Sequence, residues 1–577
     1  MISALVRKVG KVAGDPILRK WLVGCVLGRY RRPAGFVSHH PSYLRTMTLV
    51  WTDLSADTAH IAGAMLSVGA PTDACAISLA GHNVRLSPER PDEIFDVAFD
   101  DTEQLLALHR FAWLPLLGDG ADPAWTDCLW RSWVRRYGVP DDGWAWHPYT
   151  AAERVINILD FARRAGWPGD KEKTLVVLAR HAAAIAARLE YYGDHDTSNH
   201  LSNNGRGLYR LGLALGLDDA ADMGRDILLA EAQRIFMPSG VLREGSSHYH
   251  LLLTRNYIDA WLAARRHARP ETDRLRDIAV RALGVLPRFV LPGRFPLIGD
   301  ISPDCPPEFL CGLLPDADMS NGWSGLLDMQ DCDLVAGLKR AAAVPRDDAG
   351  GDGWFDVRLG AWSAVLHVAP QGWQQMPGHG HQDTASAEIH FGATPIFVDP
   401  GRGAYGETGE AAFYTSGAAH NGLTIDGNDP YPPNKPYYGV DFRRAICGAP
   451  PRVARSDAGL RIEHGGFSRL AGIGNAIREF HFSGDELVIY DRIDGRRTAQ
   501  VTRRLFSPWP VTLDGATAFI DTPAGRFRLD ADVGLRCERT KYWPAYGVAA
   551  DANLIIAVSS PRLPTALRLT VRKMVPA

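Results

Sequence analysis

The sequence lacks several of the features that would place it quickly. Its eight cysteines (Cys25, Cys75, Cys128, Cys305, Cys311, Cys332, Cys447 and Cys537) are scattered, with no C-x-x-C pair. That argues against a disulfide framework and against a cysteine-type zinc site; the closest two, Cys305 and Cys311, read as free thiols. Lysine is scarce, at nine of the 63 basic residues, a bias that nucleotide composition alone can produce. An excess of one charge is missing too. With 63 basic against 66 acidic residues the net charge is −3, so no global field draws the chain to nucleic acid or a membrane surface. An acidic ligand would need a local cationic cleft.

Long apolar runs are also absent. The basic N-terminus has its longest run from Trp21 to Gly28, preceded by Arg19 and Lys20 and followed by Arg29, Tyr30, Arg31 and Arg32 rather than by a small-residue cleavage site. Nothing approaches the ~20 apolar residues that cross a bilayer. The expectation is a surface helix, no membrane span and no export signal. On sequence alone that is a cytoplasmic protein, with the periplasm or cell envelope as the alternative. Repeats and low-complexity tracts are absent.

What is present is a chain of 577 residues, 46% hydrophobic and 22% charged, enough for two or three globular domains. Residues 1–100 are hard to assign. From about residue 102 the apolar residues fall at helical spacing, as in "TAAERVINILDFARRAG" and "HYHLLLTRNYIDAWLAARRHA", with Gly, Pro or Asp in the breaks. Helix after helix over 101–345 predicts a bundle or toroid. The Asp/Gly-rich stretch 341–357 marks a boundary. Over 346–577 runs such as "LVIYDRI" and "ALRLTVRKM" alternate with period two between turns, which predicts an antiparallel β-sandwich.

Polar residues cluster at four points. "WAWHPYTAAERVIN" sets aromatics beside His147, Tyr149, Arg154 and Asn157, a combination that suits sugar rings and carboxylates as well as a tryptophan-capped helix. "SNHLSNNGRGL" places Asn199, His200, Asn203 and Asn204 at a helix start, more amides and imidazoles than capping needs. "REGSSHYH" opens a helix with Tyr249 and His250 just after Arg243. "PGHGHQDTASAEIHF" carries His379 and His381, followed by Asp399 in "IFVDPG" and His420 in "AAHNGLTIDG". His, Asp and His from separate strand ends can converge on a borderline cation, zinc above all. His390 reads as an ordinary strand residue, and Asp383 takes no assignment.

Together with "PLIGD" (296–300), these motifs resemble, in order, the heparinase II/III-like family of polysaccharide lyases over roughly residues 140–430. The resemblance implies an incomplete (α/α) toroid followed by an antiparallel β-sandwich. It implies β-elimination at a uronic acid of an acidic polysaccharide, leaving a C4–C5 unsaturated sugar. Such a reaction needs neutral or cationic donors for the uronate carboxylate as charge develops beside it, plus a base for the C5 proton and an acid for O4. By resemblance Asn203, Asn204 and His200 hold the carboxylate, although which asparagine acts stays open. Tyr249 is base or acid with His379 as its partner group. His147, Tyr149, Arg154, Asn157, Asn199 and Arg243 would contact the sugar chain. His381, Asp399 and His420 would hold a structural Zn2+ that stiffens the loop carrying His379.

Two other readings compete. A glycoside hydrolase needs two acidic residues flanking the bond, and Glu153, Asp194, Asp196 and Glu244 form no convincing pair. A non-catalytic carbohydrate-binding protein would have no use for Tyr249 and His379 together.

Overall fold

A computed structural model of the chain describes residues 12, 14–29, 41–44, 63–343, 350–374, 378–435, 438 and 440–574. The first eleven residues and 344–349, part of the expected boundary, lie outside the described residues. No helix among the described residues is long and apolar enough to cross a membrane.

The N-terminal helix α1 (Pro16–Val26) is more than a surface element. Asp15 caps it, and Leu18, Trp21 and Gly24 are buried. Trp21 packs edge-on against Phe442 at 5.3 Å, which fastens the helix to the second half of the chain. In the stretch that resisted assignment, Cys75–Leu79 (β1) and His82–Leu86 (β2) pair as a hairpin.

The longer helices of the first half are α2 (Thr102–Arg110), α3 (Pro123–Tyr137), α4 (Pro148–Ala165), α5 (Lys171–Ala186), α6 (Asn199–Leu215), α7 (Asp218–Ile235), α8 (Ser247–Arg266), α9 (Thr272–Leu283) and α10 (Met329–Ala342). They differ in how they are buried. Every residue of α8 from Ser247 to Ala264 is buried, and α4 and α6 are buried over most of their surface. By contrast α9 buries a single stripe of Leu275, Ile278, Ala279, Ala282 and Leu283. A helix buried all round belongs inside and an amphipathic one outside, so α4, α6 and α8 are inner helices of the toroid. Small residues let them approach: a Cβ on Gly207 of α6 would meet the Cβ of Ala152 of α4 at 2.5 Å.

The second half is built from sheets. An eight-stranded antiparallel sheet faces two four-stranded ones, one formed by the strands of residues 354–397 in sequence order. The last strand, Thr565–Lys573, shows the period-two rule, with Leu567, Leu569 and Val571 buried and Arg568 and Arg572 outward. Trp362, Phe391, Phe480, Phe482 and Phe527 fill the space between layers. The helical core continues through Phe289 and Leu291 to Trp354, Val365 and Tyr546 of the sheet half. The observed architecture is therefore a helical toroid followed by a β-sandwich, joined by a shared apolar seam.

Candidate active site

The inner helices α4, α6 and α8 all begin at one mouth of the toroid, where the sandwich covers it. His147 and Tyr149, Asn199 and His200, and Tyr249 line one cleft there, with His379, Arg402 and Tyr405 of the sandwich half opposite; its volume is about 560 Å3. The first residues of three helices line this one space, so their N-terminal dipole ends add to Arg110 and Arg402 against the carboxylates of Glu103, Glu190, Asp196, Asp300 and Asp304.

Glycine permits the close meeting of the two halves. Gly245 has φ +72°, and a Cβ there would meet the Gln374 side chain at 2.4 Å and the Gly380 backbone at 3.2 Å. The turn that leads into α8 and the loop bearing His379 thus touch almost backbone to backbone.

Ser246 caps α8 by accepting a hydrogen bond from the Tyr249 backbone N–H at 3.1 Å. The Tyr249 phenol lies 2.6 Å from the phenol oxygen of Tyr405. Its ring is stacked on the His379 imidazole, centroids 3.6 Å apart and planes 8° from parallel. Burial pushes the Tyr249 pKa well above the usual phenol value, and the charge of Asp304 adds to this. The hydrogen bond from Tyr405 works in the opposite direction. His379 is held from both sides: Nδ1 lies 3.2 Å from Asp300 Oδ2 and Nε2 lies 3.3 Å from Glu244 Oε2. Both ring nitrogens therefore face protein carboxylates, an arrangement that suits positioning better than handing a proton to a substrate.

Asn199 is buried and lines the cleft; its backbone N–H donates to Glu244 Oε1 at 2.7 Å, while its side-chain Oδ1 has no hydrogen-bond partner. His200 Nδ1 lies 2.7 Å from Glu190 Oε1. Burial is the largest influence on His200 and would lower its pKa, but the charge of Glu190, the hydrogen bond to it and the charge of Glu244 together raise the value above that of a free imidazole. Burial would raise Glu190, and here the charge of His200, its hydrogen bond, and the contributions of His147 and Asn204 together lower it. His147 Nε2 stands 3.6 Å from the same carboxylate. Tyr149 donates to Asp304 Oδ2 at 2.6 Å, and Arg110 stands 2.7 Å from Asp304 Oδ1.

Several residues expected in the cleft lie elsewhere. Arg154 is fully buried in the helical core, donating to His181 Nε2 at 2.9 Å and to the carbonyls of His109 and Ala145, with its guanidinium 3.9 Å from the Trp133 ring centroid. Asn157 donates to the Arg110 carbonyl at 2.9 Å, so it supports the cleft wall from behind. Arg243 ties down a loop through the carbonyls of Asp194 and Thr197, and burial lowers its pKa to about 10. Asn204 is spent on Glu190, accepting from its backbone N–H at 3.1 Å and donating to Oε2 at 2.9 Å. Asn203 is buried one helical turn deeper than Asn199 and outside the cleft lining. The amide that faces the cleft is Asn199.

His381, Asp399 and His420 do come together. All three are buried, and one potential ligand atom from each lies within 4.8 Å of the others. His381 Nδ1 and His420 Nε2 are buried without hydrogen-bond partners, while His381 Nε2 lies 2.8 Å from Asp300 and His420 Nδ1 lies 2.9 Å from Asp399. His390 sits inside the strand Ala387–Phe391, paired with Glu388 at 3.1 Å. Asp300, Glu190 and Tyr405 also line the cleft, and no motif in the sequence marks them for it. Asp300 stands in "PLIGD" and Tyr405 in the "PGRGAYG" loop after Asp399, but only folding brings them to the cleft.

Comparison with known proteins agrees with this architecture. Residues 344–570 match the family model described as heparinase II/III-like, C-terminal. Among solved structures the chain resembles heparinase III with a TM-score of 0.62 at 15% identity, covering 98% of this chain and 90% of that one. It also resembles a mutant of the heparan sulfate lyase HepC from Pedobacter heparinus with a TM-score of 0.54 at 14% identity, covering 83% of this chain and 78% of that one. Among curated proteins, none matches in sequence. The match to the heparinase II/III-like C-terminal model thus falls on the sandwich half, and the chain as a whole shares the fold of heparinase III.

Proposed function

We propose that this protein is a polysaccharide lyase that cleaves a uronate-containing acidic polysaccharide by β-elimination, leaving a C4–C5 unsaturated uronate. The observation that carries this reading is the meeting of Tyr249, Tyr405, Asn199 and His200 in one cleft beneath three inner-helix N-termini. The likeness of fold to lyases of heparan-type polymers supports it further.

In this reading the uronate carboxylate sits against the Asn199 amide and the His200 imidazole, whose donors strengthen as negative charge develops beside C5. The ionised Tyr249–Tyr405 pair takes the C5 proton at Tyr249. The electron pair of that C–H bond becomes the C4=C5 double bond, the C4–O4 bond breaks, and the proton on Tyr249 passes to O4. The tyrosine pair ends the cycle with the charge it began with, so no external proton is consumed. The phenolate is the minor form at neutral pH because burial raises Tyr249, and the hydrogen bond from Tyr405 offsets part of that cost. His379 fixes the Tyr249 ring from its flat face.

His381, Asp399 and His420 offer two imidazoles and a carboxylate with buried, unpartnered nitrogens, a donor set that suits Zn2+. Bound there, the ion supplies a structural link holding the His379 loop to the strand ends. A glycoside hydrolase would need two uncommitted carboxyl groups across the bond. Of the carboxylates that line the cleft, Glu190 is engaged with His200, Asp300 with His379 and His381, Asp304 with Tyr149 and Arg110, and Glu103 with Arg110, while Asp196 lies 3.9 Å from His195.

The direct test is to incubate the protein with a panel of uronate polymers, both sulfated and unsulfated, and follow ultraviolet absorbance. New absorbing non-reducing ends are expected with at least one polymer. Reducing ends that appear without the chromophore would replace the lyase with a hydrolase.

A further inference from the structure

One residue in the cleft is committed to both imidazoles of the H-x-H motif. Asp300 ends the "PLIGD" segment and is 3% exposed. Oδ2 lies 3.2 Å from His379 Nδ1 and Oδ1 lies 2.8 Å from His381 Nε2. Arg402 Nη1 donates to both oxygens, at 3.1 and 3.3 Å. The backbone is fixed as firmly: the Asp300 N–H donates to the His379 carbonyl at 2.8 Å, and the Asp300 carbonyl accepts from Ser246 Oγ at 2.7 Å. Ser246 is the residue that caps the helix bearing Tyr249. The segment is tied down just before this point too, since Ser247 N–H donates to the Ile298 carbonyl at 3.0 Å.

This wiring has a direct consequence for each ring. An imidazole whose one nitrogen is held by a carboxylate has its orientation fixed, and the other nitrogen is the one left to work. For His381 the remaining atom is Nδ1, buried, unpartnered and beside Asp399 and His420. For His379 the same carboxylate sets the ring plane that lies on Tyr249. A flexible loop rich in glycine could not set these two orientations by itself.

We propose that Asp300 is a positioning residue that locks the metal-site imidazole of His381 and the Tyr249-backing imidazole of His379 into one arrangement, so that metal occupancy and tyrosine placement depend on the same carboxylate. The inference rests on the lyase reading for its catalytic arm and on the chain's own zinc affinity for the other. Asp300 makes its contacts through protein groups and needs no contact with the sugar.

The test uses the full-length protein and Asp300→Asn, which keeps the size and removes the charge. Zinc affinity, measured by competition with a chromogenic chelator, is expected to weaken by about 10–100-fold. With the best polymer of the panel, kcat is expected to fall by a similar factor while KM stays within about two-fold, because the carboxylate-binding residues Asn199 and His200 do not touch Asp300. Asp300→Asn placed on a His381→Ala background must still lower kcat, since His379 loses its anchor independently of the ion. An unchanged zinc affinity in Asp300→Asn, or no added kcat loss in the double variant, overturns the proposal. Should Asp300→Asn fail to fold, Asp300→Glu, which keeps the charge but moves it by one methylene, is expected to weaken zinc affinity and lower kcat together; a loss in neither, or in only one of the two, overturns the proposal. A wild-type protein that binds zinc but yields no unsaturated product with any polymer would overturn the lyase reading and leave the metal arm standing.

Discussion

The ring of His379 lies flat on the ring of Tyr249, with centroids 3.6 Å apart, and joins the two halves of the molecule at the point where chemistry is expected. One ring comes from an inner helix of the toroid and the other from a glycine-bounded loop of the sandwich. Neither half holds the site alone, so its geometry depends on the seam between them.

Tyr405 should tune Tyr249. Its hydrogen bond lowers the Tyr249 pKa against the larger effect of burial, so removing it raises that pKa further. The rate should climb with pH as the phenolate forms, and in Tyr405→Phe this limb should move to higher pH. At neutral pH a shift of one unit costs about ten-fold in kcat/KM. A pH–rate profile with an unmoved limb would remove Tyr405 from this role.

Glu190 should set the pH at which carboxylate binding is lost. Its charge raises the His200 pKa against the opposing effect of burial. His200 thus keeps its charge above the ordinary imidazole range and loses it as pH rises through the raised value. KM is expected to increase across that window. In Glu190→Gln the increase should begin at lower pH, because burial and the charge of Arg110 are then opposed only by Glu244. A KM profile identical to wild type would contradict the pairing.

The metal trio should act on stability as well as activity. His381→Ala and His420→Ala should each lose bound zinc and melt at a lower temperature, with a far-ultraviolet circular dichroism spectrum like that of wild type at 25 °C. Chelation of the wild-type protein should lower its melting temperature to match. Equal zinc content in the variants would refute the ligand assignment.

Arg206 provides a check on the scaffold away from the cleft. It is fully buried and bridges Glu153 at 3.0 Å and Asp259 at 2.8 Å across the inner helices. Removing one partner leaves buried charge uncompensated, so Arg206→Met should cost about 3–5 kcal/mol in denaturant unfolding. A loss below 1 kcal/mol would mean that the toroid interior relaxes around the gap.

The sequence revealed the architecture because periodicity carries it: three-to-four spacing up to Ala342, alternation from Trp354 onward. It was less informative about depth. Asn199 and Asn203 are one turn apart on the same helix, and residue type alone could not tell the amide at the cleft mouth from the one buried beneath it. Arg154 and Asn157 meet only protein groups, and a polar residue on an all-buried helix reads the same whether it meets a ligand or a neighbour. The convergence of His381, Asp399 and His420 was legible because histidine and aspartate at separate strand ends stand out from the apolar runs around them. Asp300 and Tyr405 were not, since a single Asp or Tyr in a glycine-rich loop is ordinary until tertiary contacts bring it to the cleft.

The most direct test of the account is the Tyr249→Phe variant, assayed by ultraviolet absorbance on the polymer that wild type cleaves best. Phe keeps the ring on His379 and removes only the phenol oxygen, so the fold and KM should hold while kcat falls by about 100-fold or more. Formation of unsaturated product at the wild-type rate would contradict the assignment of Tyr249 and, with it, the mechanism proposed for this cleft.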